Sequence, residues 1–151
     1  MPQSLAKVLV HVVFSTKQRR GLLQADDLRD QMHRYLAGIS DRLNCPPVIV
    51  GGAEDHVHLL ARQSRTITLA DWVKELKRAS SIWAKKKTSQ WSCFQWQAGY
   101  GAFSVSQSRR SQVKQYIESQ IEHHRQLSFQ DEFRELLRKH EIEYDEQYIW
   151  E

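Results

Sequence analysis

The sequence predicts an α+β fold: a ferredoxin-like split βαβ core with a four-stranded antiparallel sheet, followed by C-terminal helices. Three observations predict it. Hydrophobic patterns run in the order strand, helix, strand, strand, helix, strand, which is the split βαβ arrangement. Two more helical patterns follow that set instead of interrupting it. No internal repeat or linker-like stretch breaks the 151 residues, a length that can bury a core without disulfides. Residues 1–151 therefore read as a single domain, with the core at about 5–106, a helix at about 109–124, and a last helix and tail at about 129–151.

Leu5 to Phe14 is β-branched and almost continuously apolar, as a strand buried on both faces would be. From about Asp26 to Leu43, the residues Leu28, Met32, Tyr35, Leu36, Ile39 and Leu43 recur at helical spacing, and Asn44-Cys45-Pro46-Pro47 ends the helix. Val48-Ile49-Val50 forms a second strand, Gly51-Gly52 turns the chain, and His56 to Arg62 returns as a third, inner strand. Thr68 is placed to cap a helix from Leu69 to about Lys86, with Leu69, Trp72, Val73, Leu76, Ala79 and Trp83 as its buried stripe. Ala102 to Ser106 alternates as a fourth strand. Ser108 is placed to cap the helix from Arg109 to about His124, and Phe129 to about His140 is the last helix. In the tail, Ile142, Tyr144, Tyr148, Ile149 and Trp150 need a surface to bury against, such as a second subunit.

Composition excludes several classes. Hydrophobic residues at 40% and charged residues at 26% are ordinary for a soluble protein, and no stretch approaches the roughly 18 apolar residues of a spanning helix. The start lacks the pattern of a secretory leader. Cys45 and Cys93 lie far apart without a Cys-x-x-Cys partner, so neither a disulfide framework nor a zinc knuckle is present, and reduced thiols in the cytoplasm are expected. The net charge of +4 mildly favours a polyanionic partner. Basic residues cluster at Lys17, Arg19 and Arg20, at Lys74, Lys77, Arg78 and Lys85 to Lys87, and at Arg109 and Arg110, whereas the tail is acidic. These are candidate phosphate contacts. Each cluster alone is also what a solvated element end looks like. The aromatics Trp91, Trp96, Tyr100 and Phe103 suit base stacking but equally suit core packing.

The most informative stretch is Asp55-His56-Val57-His58-Leu59-Leu60. Residues i and i+2 of a strand share a face, so His56 and His58 aim their imidazoles into one small volume, as metal ligands or as two polar residues on a solvated face. Further along, Tyr116 and Gln120 stand four apart on the helix predicted from Arg109. A tyrosine that attacks phosphorus needs its oxygen aimed at the phosphate and a divalent cation close by. His56, His58 and Gln120 could hold that cation. The same helix carries an ordinary apolar stripe of Val113, Ile117 and Ile121, which would explain Tyr116 as a packing residue. Glu54 and Asp55 are ligands, groups that orient an imidazole, or parts of a solvated turn. His123 and His124 fit a favourable helix-end interaction, and His11 a core or sheet-face position.

Taken in order, these pieces resemble the small single-tyrosine HUH transposases of bacterial insertion sequences, the insertion sequence 200/605 class. The likeness covers nearly the whole chain: Phe14 to Arg20 after the first strand, Gly51-Gly52, Asp55 to Leu59, Leu76-Lys77 to Ser80-Ser81, Trp96 to Phe103, and Tyr116 to Gln120. The resemblance implies that His56 and His58 bind a divalent metal, Mg²⁺ or Mn²⁺, with Gln120 completing the site, and that Tyr116 is the nucleophile. It also implies cleavage and rejoining of single-stranded DNA through a 5′-phosphotyrosine, recognition of DNA hairpins, and a homodimer in which one subunit's tyrosine helix completes the other's histidine site. Two other readings of the residues remain. One is a domesticated hairpin-binding protein without catalysis; the other is a phosphoesterase using His56, His58 and an acidic third ligand with water as nucleophile.

Overall fold

The computed structural model describes residues 2–151. Its sheet has four antiparallel strands in the order β2-β3-β1-β4. In chain order these are β1 (Leu9–Ser15), β2 (Pro47–Gly52), β3 (His56–Arg62) and β4 (Gly101–Val105). The helices α1 (Asp26–Arg42) and α2 (Leu69–Lys87) are the two crossovers, and α3 (Arg110–Glu118), α4 (Gln120–Gln126) and α5 (Phe129–Lys139) follow the core. The split βαβ arrangement with appended helices is as the hydrophobic pattern predicts.

Side-chain alternation divides the sheet into two interiors. Val10, Val12 and Phe14 of β1 and Val57, Leu59 and Ala61 of β3 pack with Met32, Leu36 and Ile39 of α1 and Trp72, Val73 and Leu76 of α2. The other face carries Leu9, His11 and Val13 of β1 and His56, His58 and Leu60 of β3. There Leu9 and Leu60 meet Ile117 of α3, and Val13 with Phe103 meets Phe129, Phe133 and Leu137 of α5. Both inner strands are buried on both sides, which is why Leu9–Ser15 reads as a nearly unbroken apolar run.

Several predicted details change. The first strand begins at Leu9 rather than Leu5, because pairing with Arg62 and Val105 starts there and Leu5 is exposed. Thr68 does cap α2, its hydroxyl accepting from the Asp71 N–H at 3.0 Å. Ser108 caps nothing: its hydroxyl pairs with Ser106 at 3.0 Å, and α3 starts after a short 3₁₀ turn. The single helix expected from Arg109 to His124 is two helices, interrupted at Ser119, whose hydroxyl bonds back to the Gln115 carbonyl at 2.9 Å. Gly51 and Gly52 end β2 instead of forming the turn. A Cβ on Gly51 would stand 2.7 Å from the Ile117 carbonyl oxygen, so glycine there admits α3 onto the sheet. The tail folds on its own chain, with Ile149 and Trp150 against the α5 cluster and the Glu151 carbonyl accepting from the Ala98 and Gly99 N–H groups. Tyr144 and Tyr148 stay exposed.

Candidate active site

His56 and His58 lie on the α3–α5 face of β3, fully buried, with their Nε2 atoms directed at one carboxylate. Pairing fixes them: His58 stands opposite Val13 and His56 opposite Ser15 of β1. Each ring is held through its other nitrogen. His56 Nδ1 donates to Asp55 Oδ1 at 2.7 Å, and His58 Nδ1 faces His11 Nε2 at 2.7 Å. Asp55 thus meets the imidazole as an orienting carboxylate would, and with His56 and His124 it also forms a second group of facing donors; His11 makes the matching contact to His58 from the neighbouring strand. The His11–His58 hydrogen bond can run in either direction, so His58 can present Nε2 as a donor or as a lone pair.

The carboxylate is Glu132 of α5. Its Oε1 is 3.2 Å from His56 Nε2 and 3.3 Å from His58 Nε2, and its Oε2 accepts from Gln120 Nε2 at 2.9 Å and from the Tyr116 hydroxyl. Gln120 Oε1 also accepts from His56 Nε2, at 2.8 Å. The structure thus brings together His56, His58, Tyr116 and Gln120. Although a helix break separates Tyr116 from Gln120, both reach the same carboxylate. The four meet within one chain, whereas the resemblance implies exchange between subunits.

Glu132 escaped the sequence reading, but a signal was present. Phe129, Glu132, Phe133, Leu136 and Leu137 occupy one helical stripe, so Glu132 is a charge at a core-facing position. A carboxylate buried there must be paired. His11 offered the same kind of signal, an imidazole inside an apolar strand.

Electrostatics follow from these contacts. Burial opposes a charge on His56, but Asp55 and Glu132 outweigh it and lift the ring to about 9. His58, equally buried, stays below its ordinary value because burial outweighs the Glu132 contact. Burial and the neighbouring His58 hold His11 well below its ordinary value. Burial alone would raise the Glu132 carboxyl, yet its bonds to His56 and His58 hold it well below the usual carboxylate range. Burial and the Glu132 charge push the Tyr116 phenol well above its ordinary value, so it is protonated in the metal-free site.

The donor set suits a divalent cation. Two imidazole nitrogens, a carboxamide oxygen and a carboxylate oxygen face one another, and donors about 2.1 Å from a first-row metal stand roughly 3.0–3.4 Å apart. The contacts of 2.8, 3.2 and 3.3 Å lie near that range.

The basic residues divide. Lys17, Lys77, Arg78 and Lys85 line one groove of about 750 Å³ beside Trp96 and Trp150. Lys77 is engaged already: its ammonium, which burial pulls down to about 8, donates to the carbonyls of Gln97, Ala98 and Gly99. The Arg19 guanidinium lies 5.5 Å over the Trp150 ring, and Arg20 lines a small pocket with Lys17. Lys74 is exposed on α2, and Arg110 begins α3. Arg109 lines a separate cleft of about 800 Å³ that reaches Tyr116. Trp91, Trp96 and Phe103 are core residues, and Tyr100 is exposed.

A ferredoxin-like sheet that gathers an HUH histidine pair, a helix-borne tyrosine and a glutamine defines a class of DNA-transposing enzymes. The chain belongs to the IS200-like transposase family, whose sequence model matches residues 4–120. It is 29% identical over 115 residues to the ISDra2 transposase TnpA of Deinococcus radiodurans, a match covering 73% of this chain and 81% of that protein. The crystal structure of a transposase from Deinococcus radiodurans superposes with a TM-score of 0.62 at 28% identity, covering 80% of this chain and 96% of that one. A REP-associated tyrosine transposase bound to a REP hairpin shares the fold, with a TM-score of 0.53 at 9% identity over 80% of this chain and 68% of that one. The family match ends at Gln120, so α5 and the tail lie beyond it. No helix among the described residues is long and apolar enough to cross a membrane.

Proposed function

We propose that this transposase cleaves and rejoins single-stranded DNA with Tyr116 as nucleophile and His56, His58 and Gln120 as ligands of a divalent metal, Mg²⁺ or Mn²⁺. One observation carries the reading. The Tyr116 hydroxyl, the Gln120 amide and the His56 and His58 Nε2 atoms converge on the two oxygens of a single buried carboxylate, so the nucleophile and the ligands of this reading share one small volume.

The chain's own residues account for the steps. Tyr116 oxygen forms a bond to the scissile phosphorus while the bond from phosphorus to the 3′-oxygen breaks, and the proton leaving the phenol balances the one gained by the departing 3′-hydroxyl. A bound divalent cation would polarise the phosphate and neutralise charge on its non-bridging oxygens. Asp55 and His11 hold the imidazoles in register, and Phe129, whose tilted ring is centred 4.7 Å from that of His56, helps keep water out. The 5′-phosphotyrosine conserves the ester, so a second 3′-hydroxyl can attack it and release Tyr116 without ATP. Two imidazoles favour Mn²⁺ over Mg²⁺.

DNA hairpins are the substrate in this reading, with Lys17, Arg19, Arg20, Lys74, Arg78, Lys85, Arg109 and Arg110 as phosphate contacts and Lys77 held back by the carbonyls of Gln97, Ala98 and Gly99. A homodimer belongs to the same proposal, with each Tyr116 serving the histidine pair of its own chain, and native mass spectrometry reads the dimer. The decisive experiment incubates the protein with single-stranded hairpins from its own genomic flanks and Mn²⁺. A denaturation-resistant protein–DNA adduct is expected, and Tyr116→Phe removes it. Hairpin binding without an adduct would instead identify a non-catalytic binder. Free 5′-phosphate product that survives Tyr116→Phe would identify a phosphoesterase.

A further inference from the structure

Resting on the reading of this site as a metal centre, we infer that Glu132 is itself a metal ligand. The cation then sits among two imidazoles, a carboxamide and a carboxylate, the last supplied by a helix beyond the residues that define the family.

Four observations carry this. Glu132 is 5% exposed on an otherwise apolar stripe of α5, so its carboxylate needs partners, and all of them belong to the site: His56, His58, Gln120 and Tyr116. Its Oε1 is nearly equidistant from the two Nε2 atoms, 3.2 and 3.3 Å, a separation that donors around one small cation adopt. Both imidazoles are tied through Nδ1, to Asp55 and His11, which leaves Nε2 as the ligating atom on the side where Glu132 stands. The backbone supports the carboxylate's position: Ser128 caps α5 by accepting from the Asp131 N–H at 3.2 Å, and Phe129 and Phe133 seat the helix against Val13 and Phe103.

The chemistry differs from that of a site with neutral protein ligands alone. His56, His58 and Gln120 bring no negative charge to a dication, whereas Glu132 brings one. A hard oxygen anion strengthens binding of Mn²⁺ or Mg²⁺ before any DNA phosphate arrives. Meanwhile Oε2 keeps the Tyr116 hydroxyl beside the ion, so one carboxylate would couple metal loading to placement of the nucleophile.

Binding of Mn²⁺ to the full chain, stripped of metal and free of DNA, tests the assignment. Loss of the free-ion electron paramagnetic resonance signal and titration calorimetry both report affinity without any turnover. Glu132→Ala and Glu132→Gln are expected to bind Mn²⁺ at least roughly tenfold more weakly, while Glu135→Gln on the same helix binds as the wild type does. If Glu132→Ala fails to fold by circular dichroism, Glu132→Gln, which keeps the shape, decides. Wild-type or tighter affinity in the Glu132 variants overturns the inference, since the carboxylate would then merely fill the cation's place. His58→Ala separates the two levels. Its loss of binding together with unchanged Glu132 variants defeats only the assignment of Glu132, whereas wild-type binding by His58→Ala defeats the metal centre as well.

Discussion

The two faces of the sheet are built from the same strands to opposite ends. Against α1 and α2, β1 and β3 present Val10, Val12, Phe14, Val57, Leu59 and Ala61 to a continuous apolar core. Against α3 to α5, the alternate residues include His11, His56 and His58, and the opposing helices contribute Tyr116, Gln120 and Glu132. The first face gains stability from burial, about 1.5–3 kcal/mol for each large side chain. The second buries polar groups and remains folded because the imidazoles, the carboxamide and the carboxylate at its centre are partnered with one another. The larger apolar core therefore lies on one face and the proposed chemistry on the other, separated by the thickness of a strand.

The largest effect expected from breaking this division is on the apolar face. Trp72 is fully buried and donates its indole N–H to Ser40 at 3.1 Å. Trp72→Ala should cost about 3–5 kcal/mol in denaturant unfolding, with Mn²⁺ affinity of the remaining folded protein unchanged. A large loss of affinity in that variant, measured under conditions where it is folded, would show that the faces are coupled.

The polar face should instead make the metal-free protein sensitive to pH. The folded state lifts His56 to about 9, above its ordinary 6.5. The folded protein then holds a proton that the unfolded chain releases, so the contribution is fully present below about pH 6.5 and is lost as pH rises through 9. His11 and His58 have the opposite sign, because both are pulled below 6.5 by burial. Their neutral forms favour folding above that value, and stability falls as the medium becomes acidic. The thermal midpoint in the presence of chelator should peak between these limits, and His56→Gln should flatten the alkaline side. An unchanged alkaline side in His56→Gln would mean that the charged pair with Glu132 contributes nothing.

The same division governs what could be read from sequence. Apolar periodicity is a local signal, so β3 appears with both its predicted ends, His56 and Arg62, and α2 with its Thr68 cap. Of the predicted stripe, Trp72, Val73 and Leu76 are in the core, and Leu69, Ala79 and Trp83 pack against it half-buried. The site was legible only where a local motif announced it, as His56-Val57-His58 does, and the family resemblance supplied the roles of Tyr116 and Gln120. Glu132 is 74 residues from His58, and only the packing of α5 on Val13 and Phe103 brings them together. At the break the Ser119 hydroxyl and its own N–H both bond to the Gln115 carbonyl, a local detail that helical periodicity does not register. Gly51 reads in the sequence as a turn residue because the approach of Ile117 is a tertiary event.

The smallest effect expected, and the sharpest for the polar face, is at Asp55. Its Oδ1 accepts from His56 Nδ1 at 2.7 Å, and its carbonyl separately accepts from the Thr16 N–H at 2.8 Å. The backbone bond survives any substitution of the side chain, so the fold should be retained. Asp55→Asn can still accept from the imidazole but removes a charge that lifts the His56 pKa and raises the basicity of its ligating nitrogen. Asp55→Ala removes the acceptor altogether. Mn²⁺ affinity should therefore fall about tenfold in Asp55→Asn and further in Asp55→Ala, within the roughly 10–100-fold range of such orienting groups. The alkaline limit set by His56 should move toward lower pH in both. Equal affinity in all three proteins would make Asp55 a turn residue, leaving Gln120 and Glu132 on the opposing helices as the groups that hold His56.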